Sequence, residues 1–191
     1  VLIFTSGINL YLLIAIFLFS SVLLAYLIIF VPKFEYIQGR IFSFFDRETG
    51  SHNFQSDKAI ESITSGGFFG KGIGEGTLKN FVPEAHTDYI ISVISEEFGV
   101  VAIMLILLLF LVFIYMVFKK INFETNDKIK LILIGSISLI LMQATIHIGV
   151  NIRLFPTTGM TLPFLSYGGS SIVSTSILAG IILNLTKRKI N

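Results

Sequence analysis

Four stretches of this chain carry no charged residue over a length sufficient to cross a lipid bilayer, and nothing else restricts its fold as strongly. They are Val1–Pro32, Phe98–Phe118, Leu131–Ile152 and Leu154–Thr186. A crossing needs about 20 predominantly apolar residues. Backbone N–H and C=O groups find no water in the hydrocarbon, so each crossing must be helical. The fourth stretch is interrupted by Pro156, Pro163, Gly168 and Gly169. Its helix is therefore expected from Ser170 to Thr186, after a re-entrant or surface loop at 152–169. Only 14% of the residues are charged, against about 25% in soluble domains. A buried bundle within a large soluble protein is excluded, because four such runs leave no polar face. The expected fold class is all-α integral membrane, with transmembrane helices at 1–31, 88–118, 131–151 and 170–186.

Lysine and arginine in short loops set the orientation. The loop 119–130 holds Lys119, Lys120, Lys128 and Lys130, and the tail 187–191 holds Lys187, Arg188 and Lys189. Both are expected on the cytoplasmic side. The long loop 32–87 and the loop 152–169 then face outward. Cysteine is absent, which excludes a disulfide framework and thiolate metal sites. A net charge of +2 argues against nucleic acid as a partner. The chain opens on Val1 with no charged region before the apolar run, so no signal peptide is read there; it resembles a piece cut from something longer.

The loop 32–87 is too long for a simple connection. Phe34, Ile37, Ile41 and Phe44 recur at helical spacing, which suits a short helix lying on the membrane surface. Ser56 is placed to cap a second helix, Asp57–Ser65, ended by Gly66-Gly67. GGFFGKGIGEG follows. It fails the P-loop pattern, being one residue short and lacking Ser or Thr after Lys71, and it fails GxGxxG. It reads either as a flexible glycine turn or as backbone approaching a ligand closely, with Lys71 beside an anionic group.

PEAHTD then leads into the second apolar run. Pro83 breaks any helix before it. Asp88 falls in the first turn of the next helix, where the dipole favours a carboxylate. Asp88, Ser92 and Ser95 share one helical face, and polar residues on membrane helices face a bundle interior or a water-filled cavity. Glu96 and Glu97 precede the uncharged run and read as structural. His52, His86 and His147 are widely separated and form no metal motif. Gln143, His147 and Asn151, at i, i+4 spacing, read as interhelical hydrogen bonding.

Two segments, GKGIGEGTLKNFVPEAHTDYIISVISEEFG and NIRLFPTTGMTLPFLSYGGSS, resemble the C-terminal half of the FtsW/RodA/SpoVE (SEDS) family of bacterial membrane glycosyltransferases. The resemblance covers essentially the whole chain. MTLPFLSYGGSS, with FFDRETGSHNFQSDKAIESI upstream, is more similar to the division branch than to the elongation branch. Ten transmembrane helices are implied, of which about four are present here. The family polymerises lipid II into glycan strands, and the aspartate of PEAHTD is its proposed catalytic residue, here Asp88. Thr158 departs from the lysine common at that place in division-type relatives.

The implied chemistry is attack of a sugar hydroxyl on an anomeric carbon, with undecaprenyl pyrophosphate leaving. It needs a base, assigned to Asp88, and cations or donors near the pyrophosphate. An ordinary aspartate, with a pKa of about 3.9, is a weak base; burial raises its basicity and the helix dipole opposes that. The candidate substrate-binding residues are Lys71, Lys79, Glu84, His86, Arg153, Thr157, Ser166, Gly168 and Gly169, with the amides of the glycine-rich loop. Lys79 reads equally as a solvated loop charge. Close backbone packing of Ser166–Gly169 would support a cavity wall. No cofactor is assigned, and a divalent cation is left open. The implied partners are lipid II, a class B penicillin-binding protein transpeptidase and membrane lipids, at the bacterial cytoplasmic membrane and its division septum. A flippase for lipid-linked precursors and a non-catalytic divisome scaffold are the rival readings.

Overall fold

A computed structural model describes residues 9–45, 51–82 and 85–187. No strand occurs among them. Four helices are long and apolar enough to cross a membrane: α1 (Leu10–Phe30), α6 (Ile90–Phe123), α7 (Asp127–Asn151) and α8 (Gly169–Thr186). Shorter helices lie between the first two: α2 (Glu35–Phe45), α3 (Ser51–Gly66), α4 (Leu78–Phe81) and α5 (Ala85–Asp88).

The chain divides into two compact units, Val1–Phe54 and Gln55–Asn191. In the first, Asn9 caps α1 by accepting from the Tyr11 amide at 3.0 Å. None of the described α1 side chains is buried, as suits a helix whose surroundings are hydrocarbon. Pro32 opens a single 3₁₀ turn, Pro32–Phe34, that leads into α2.

In the second unit, α7 packs on α6 and α8. Val117 and Ile121 of α6 meet Leu133, Ile137 and Ile140 of α7 and Ile182 of α8. Lipid is as apolar as these side chains, so what the cluster gains in a bilayer is close packing rather than escape from water. The connection from α6 to α7 is only Glu124–Asn126, shorter than the 119–130 loop expected. Asn126 caps α7 by accepting from the Lys128 amide at 3.0 Å. A second cluster, Ala59, Leu78, Val82, Ala85, Tyr89 and Val150, ties α3, α4 and α5 to the end of α7.

Three sequence expectations are corrected. The helix assigned to Asp57–Ser65 begins at Ser51, so Ser56 lies inside it and is buried rather than capping it; nothing in Ser51–Gln55 breaks a helix. Asp88 does not open the membrane helix. It closes the separate turn α5, and Tyr89, at φ −123° and ψ 28°, interrupts the helical backbone before Ile90. Most consequentially, α6 is not one straight span. Gly99, at φ 78° and ψ −179°, breaks it in a region essentially reserved for glycine. Ser92 stands 31 residues before Phe123 and Asn151 stands 24 after Asp127 (123 − 92 against 151 − 127), yet Ser92 and Asn151 are hydrogen-bonded. Seven extra residues are about 10 Å of helix, and the break at Gly99 takes them up by redirecting Ile90–Phe98.

Candidate functional site

The break at Gly99 releases backbone groups that a continuous helix would pair, and the glycine-rich loop pairs them. The Val100 and Val101 amides donate to the Gly67 and Phe68 carbonyls at 2.9 and 3.4 Å; the Lys71 and Gly72 amides donate to the Glu96 and Glu97 carbonyls at 2.8 and 3.1 Å. Four polar groups near an apolar span are thereby satisfied, as a low-dielectric setting demands. The glycines make this possible. A Cβ on Gly66 would stand 2.0 Å from the Ser95 carbonyl oxygen, one on Gly70 2.2 Å from that of Glu97, and one on Gly99 2.2 Å from that of Phe68. GGFFGKGIG is neither a flexible turn nor a ligand cradle at these amides; it is a backbone clasp on α6.

Glu96 completes the clasp. It is 1% exposed, and its carboxylate accepts from the Lys71 ammonium (2.8 Å), the Thr77 amide and hydroxyl (3.0 and 2.9 Å) and the Leu78 amide (3.0 Å). The expected structural role of Glu96 thus has a specific content, which the sequence signalled only as two consecutive glutamates before an apolar run. Lys71, expected beside an anionic ligand, is committed to this carboxylate. Lys79 lies on α4 with its side chain outside the described set, and Glu84 lies outside the described residues altogether.

Asp88 sits at the other end of Ile90–Phe98, on a turn held from two directions. The His86 carbonyl accepts from the Tyr167 amide at 3.1 Å. The Thr87 carbonyl accepts from the Ser166 hydroxyl at 2.7 Å, and the Asp88 carbonyl accepts from the Asn151 side-chain amide at 3.0 Å. Ser166 also accepts from the Leu162 amide at 2.8 Å, so one hydroxyl fixes its own loop and the aspartate's turn together. The His86 ring lies 5.7 Å from that of Tyr167. A Cβ on Gly159 would come within 3.7 Å of the Asp88 Oδ2, so the carboxylate, which is half-buried, faces the backbone of the PTTG turn.

The 152–168 loop is anchored where it leaves α7. The Leu154 amide reaches the Gly149 carbonyl at 2.7 Å and the Arg153 amide reaches that of Val150 at 3.1 Å. This is a Schellman ending, with Arg153 at the position usually held by glycine. Its φ is 57°, a conformation that costs a side-chain-bearing residue about 1–2 kcal/mol. The Arg153 guanidinium pairs with Asp57 of α3. Further along, Gln143 donates to the Thr161 carbonyl and hydroxyl and to the Ser171 hydroxyl (2.9, 3.1 and 2.9 Å), and His147 Nδ1 lies 2.7 Å from the Met160 carbonyl oxygen. The i, i+4 stripe of α7 joins helices as expected, through Asn151 to Ser92 of α6 and Gln143 to Ser171 of α8, and it secures the loop and the Asp88 turn as well.

The structure thus gathers Asp88, His86, Ser166 and Gly159 in one place. Thr157 is half-buried in the same loop, Arg153 is turned to Asp57, and Lys71 belongs to the clasp. A Cβ on Gly168 would stand 3.1 Å from the Thr161 methyl, whereas one on Gly169 would meet nothing within 4 Å; close packing explains the first glycine and not the second. Ser92 is buried and donates to Asn151 at 2.8 Å from its hydroxyl. The Ser95 hydroxyl and His147 Nε2 are buried with no partner among the described residues. Among those residues no group of three His, Asp or Glu side chains could hold a metal.

Comparison with known proteins places this geometry in context. The profile of the FtsW/RodA/SpoVE family, described as cell cycle protein, matches residues 1–191. The chain is 35% identical over 181 residues to a probable peptidoglycan glycosyltransferase FtsW of Enterococcus hirae, covering 90% of this chain and 46% of that one. It is 37% identical over 157 residues to the protein of the same description from Caulobacter vibrioides, covering 82% and 40%. A solved structure from work on structural coordination of polymerization and crosslinking by a peptidoglycan synthase complex superposes with a TM-score of 0.70 at 26% identity, over 97% of this chain and 51% of that one. The chain spans about half the length of the curated relatives it matches.

Proposed function

This chain belongs to the FtsW/RodA/SpoVE family, a family of multi-pass membrane proteins, and from that premise we propose that it carries the catalytic aspartate of a peptidoglycan glycosyltransferase that polymerises lipid II at the division septum. The observation that carries the reading is the turn Ala85–Asp88. Its last three carbonyls are each held by a group from elsewhere in the chain, at 2.7–3.1 Å, so the backbone that carries one partly buried carboxylate is fixed in place. Such fixing is what turns proximity into rate: a displacement of about 1 Å at a reacting group can cost about 10²-fold.

In the proposed reaction, an acceptor sugar hydroxyl attacks the anomeric carbon of a lipid-linked donor. A bond forms between the acceptor oxygen and that carbon, and the bond from the carbon to the pyrophosphate oxygen breaks. Asp88 takes the hydroxyl proton, and polyprenyl pyrophosphate leaves with its electron pair. Lysine-rich Lys119–Lys130 on the cytoplasmic side puts the Asp88 end of α6 and α7 at the opposite face, where a lipid-linked sugar presents its head. Of the proposed substrate contacts, His86, Thr157 and Ser166 belong to the Asp88 neighbourhood. Lys71 and Arg153 are already paired with Glu96 and Asp57, so a pyrophosphate would share their remaining N–H donors with those carboxylates.

The relatives' description as glycosyltransferases and the neighbour's description as a polymerising and crosslinking complex support this reading, and with it a transpeptidase partner of the class B penicillin-binding type. The test is conversion of labelled lipid II into glycan strands by the chain joined to the remainder of a full-length family member, with its transpeptidase. Polymer formation is the expected result. Movement of lipid II across vesicles without polymer would replace the proposal with a flippase, and partner recruitment without either would replace it with a scaffold.

A further inference from the structure

Asn151 stands inside a helical hydrogen bond. In a continuous helix the Asp88 carbonyl would accept from the Ser92 amide, the i to i+4 pairing that closes each turn. Here the two groups do not meet. The Asp88 carbonyl accepts from Asn151 Nδ2 at 3.0 Å, and the Ser92 amide donates to Asn151 Oδ1 at 3.2 Å. The side-chain amide of Asn151 thus occupies the place of the missing contact, offering a donor to one end and an acceptor to the other. The interruption falls at Tyr89, whose φ of −123° and ψ of 28° separate α5 from α6.

The inserted amide is itself held. Asn151 is 0% exposed. Its Nδ2 also donates to the His147 carbonyl at 2.9 Å, and its Oδ1 also accepts from the Ser92 hydroxyl at 2.8 Å. Both amide hydrogens and both acceptor sites of the oxygen are therefore used. Only an amide supplies donor and acceptor at this spacing. A carboxylate lacks the donor, and an aliphatic side chain lacks both.

We propose that Asn151 is the positioning residue for Asp88: by splitting the 88-to-92 hydrogen bond it keeps the Asp88 turn out of the α6 helix and sets the direction of its carboxylate. This rests on the proposed glycosyltransferase reading for its consequence, but not for its geometry. Removing the amide leaves a carbonyl and an amide that can pair with each other, so α5 and α6 would close into one helix. The chain would lose little stability and the carboxylate would lose its place.

The experiment uses the full-length protein with its transpeptidase partner and compares wild type, Asn151→Ala and Asn151→Asp. With labelled lipid II, Asn151→Ala is expected to lower kcat by about 10²-fold, with KM within about threefold and partner binding intact. Asn151→Asp, whose ionised carboxylate offers acceptors to the Ser92 amide but no donor to the Asp88 carbonyl, is expected to be impaired as well. Equal kcat in folded Asn151→Ala and wild type would overturn the proposal. A second measurement works even if Asp88 is not the base. The chain has no cysteine, so Asp88→Cys, in a full-length protein whose remaining half has had any cysteine replaced by serine, reports the position of residue 88. Its maleimide labelling rate is expected to change at least fivefold when Asn151→Ala is added. An unchanged rate overturns the positioning role, whereas a changed rate with full activity in Asp88→Asn overturns only the catalytic reading.

Discussion

Replacing Gly99 with alanine tests the clasp that shapes α6. The added Cβ would lie 2.2 Å from the Phe68 carbonyl oxygen and 2.6 Å from the Gly70 nitrogen, both backbone atoms that no rotamer change can move aside. The φ of 78° and ψ of −179° also place alanine in a region that costs about 1–3 kcal/mol. To relieve the contact the loop must retreat, which breaks the Val100 and Val101 bonds to Gly67 and Phe68. Each buried group left unpaired costs about 1–3 kcal/mol. The total, about 3–9 kcal/mol, is a large part of the 5–15 kcal/mol that holds a typical domain together. At about 2–4 °C per kcal/mol, the thermal transition of the detergent-solubilised full-length protein should fall by roughly 6 °C or more. Gly180→Ala is the matched control. A Cβ there meets nothing within 4 Å, and alanine is the better helix former by about 1 kcal/mol, so its transition should stay level or rise. A Gly99→Ala protein that melts with wild type would refute the clasp.

Glu96→Gln replaces one carboxylate oxygen with a donor that faces donors, and removes the counter-charge of Lys71. Lys71 is 36% exposed, so the main cost is a buried Thr77 or Leu78 donor left facing a donor, about 1–3 kcal/mol, visible as a lowered thermal transition. Ser166→Ala leaves the Leu162 amide buried without its acceptor and the Thr87 carbonyl without its donor. It should cost about 1–3 kcal/mol and lower glycan synthesis more than stability alone explains, measured as polymer per folded molecule. Asp57→Asn, by contrast, weakens a pair whose carboxylate side is 55% exposed; exposed pairs contribute about 0–1 kcal/mol, so its melting temperature should match wild type within a degree or two.

The helices were legible because they depend on composition and on long local patterns, and the family because two long motifs carry the resemblance. Uncharged runs marked all four membrane helices, and Pro83 and the glycines of 152–169 marked where regular structure stops. What escaped was pairwise geometry. Gly99 in EEFG looks like any helical glycine; that it breaks α6 depends on Gly67, Phe68, Lys71 and Gly72, some thirty residues away, supplying the missing partners. Lys71 looked available because its counter-ion, Glu96, lies 25 residues further on and reads as an interfacial charge. Asn151 was visible as a polar residue on a membrane helix, but its insertion between Asp88 and Ser92 depends on how far the break at Gly99 redirects Ile90–Phe98. A local signal existed for the break alone, in a 34-residue helix longer than any single crossing needs.

The central claim is that the Asp88 carboxylate performs the chemistry. It is tested most directly by glycan-strand synthesis from labelled lipid II with the full-length protein and its transpeptidase, comparing wild type with Asp88→Asn. The asparagine keeps size and hydrogen-bonding capacity while removing the charge and the base. The account predicts loss of polymer with unchanged expression and partner binding. Undiminished polymer would contradict it and place the base elsewhere.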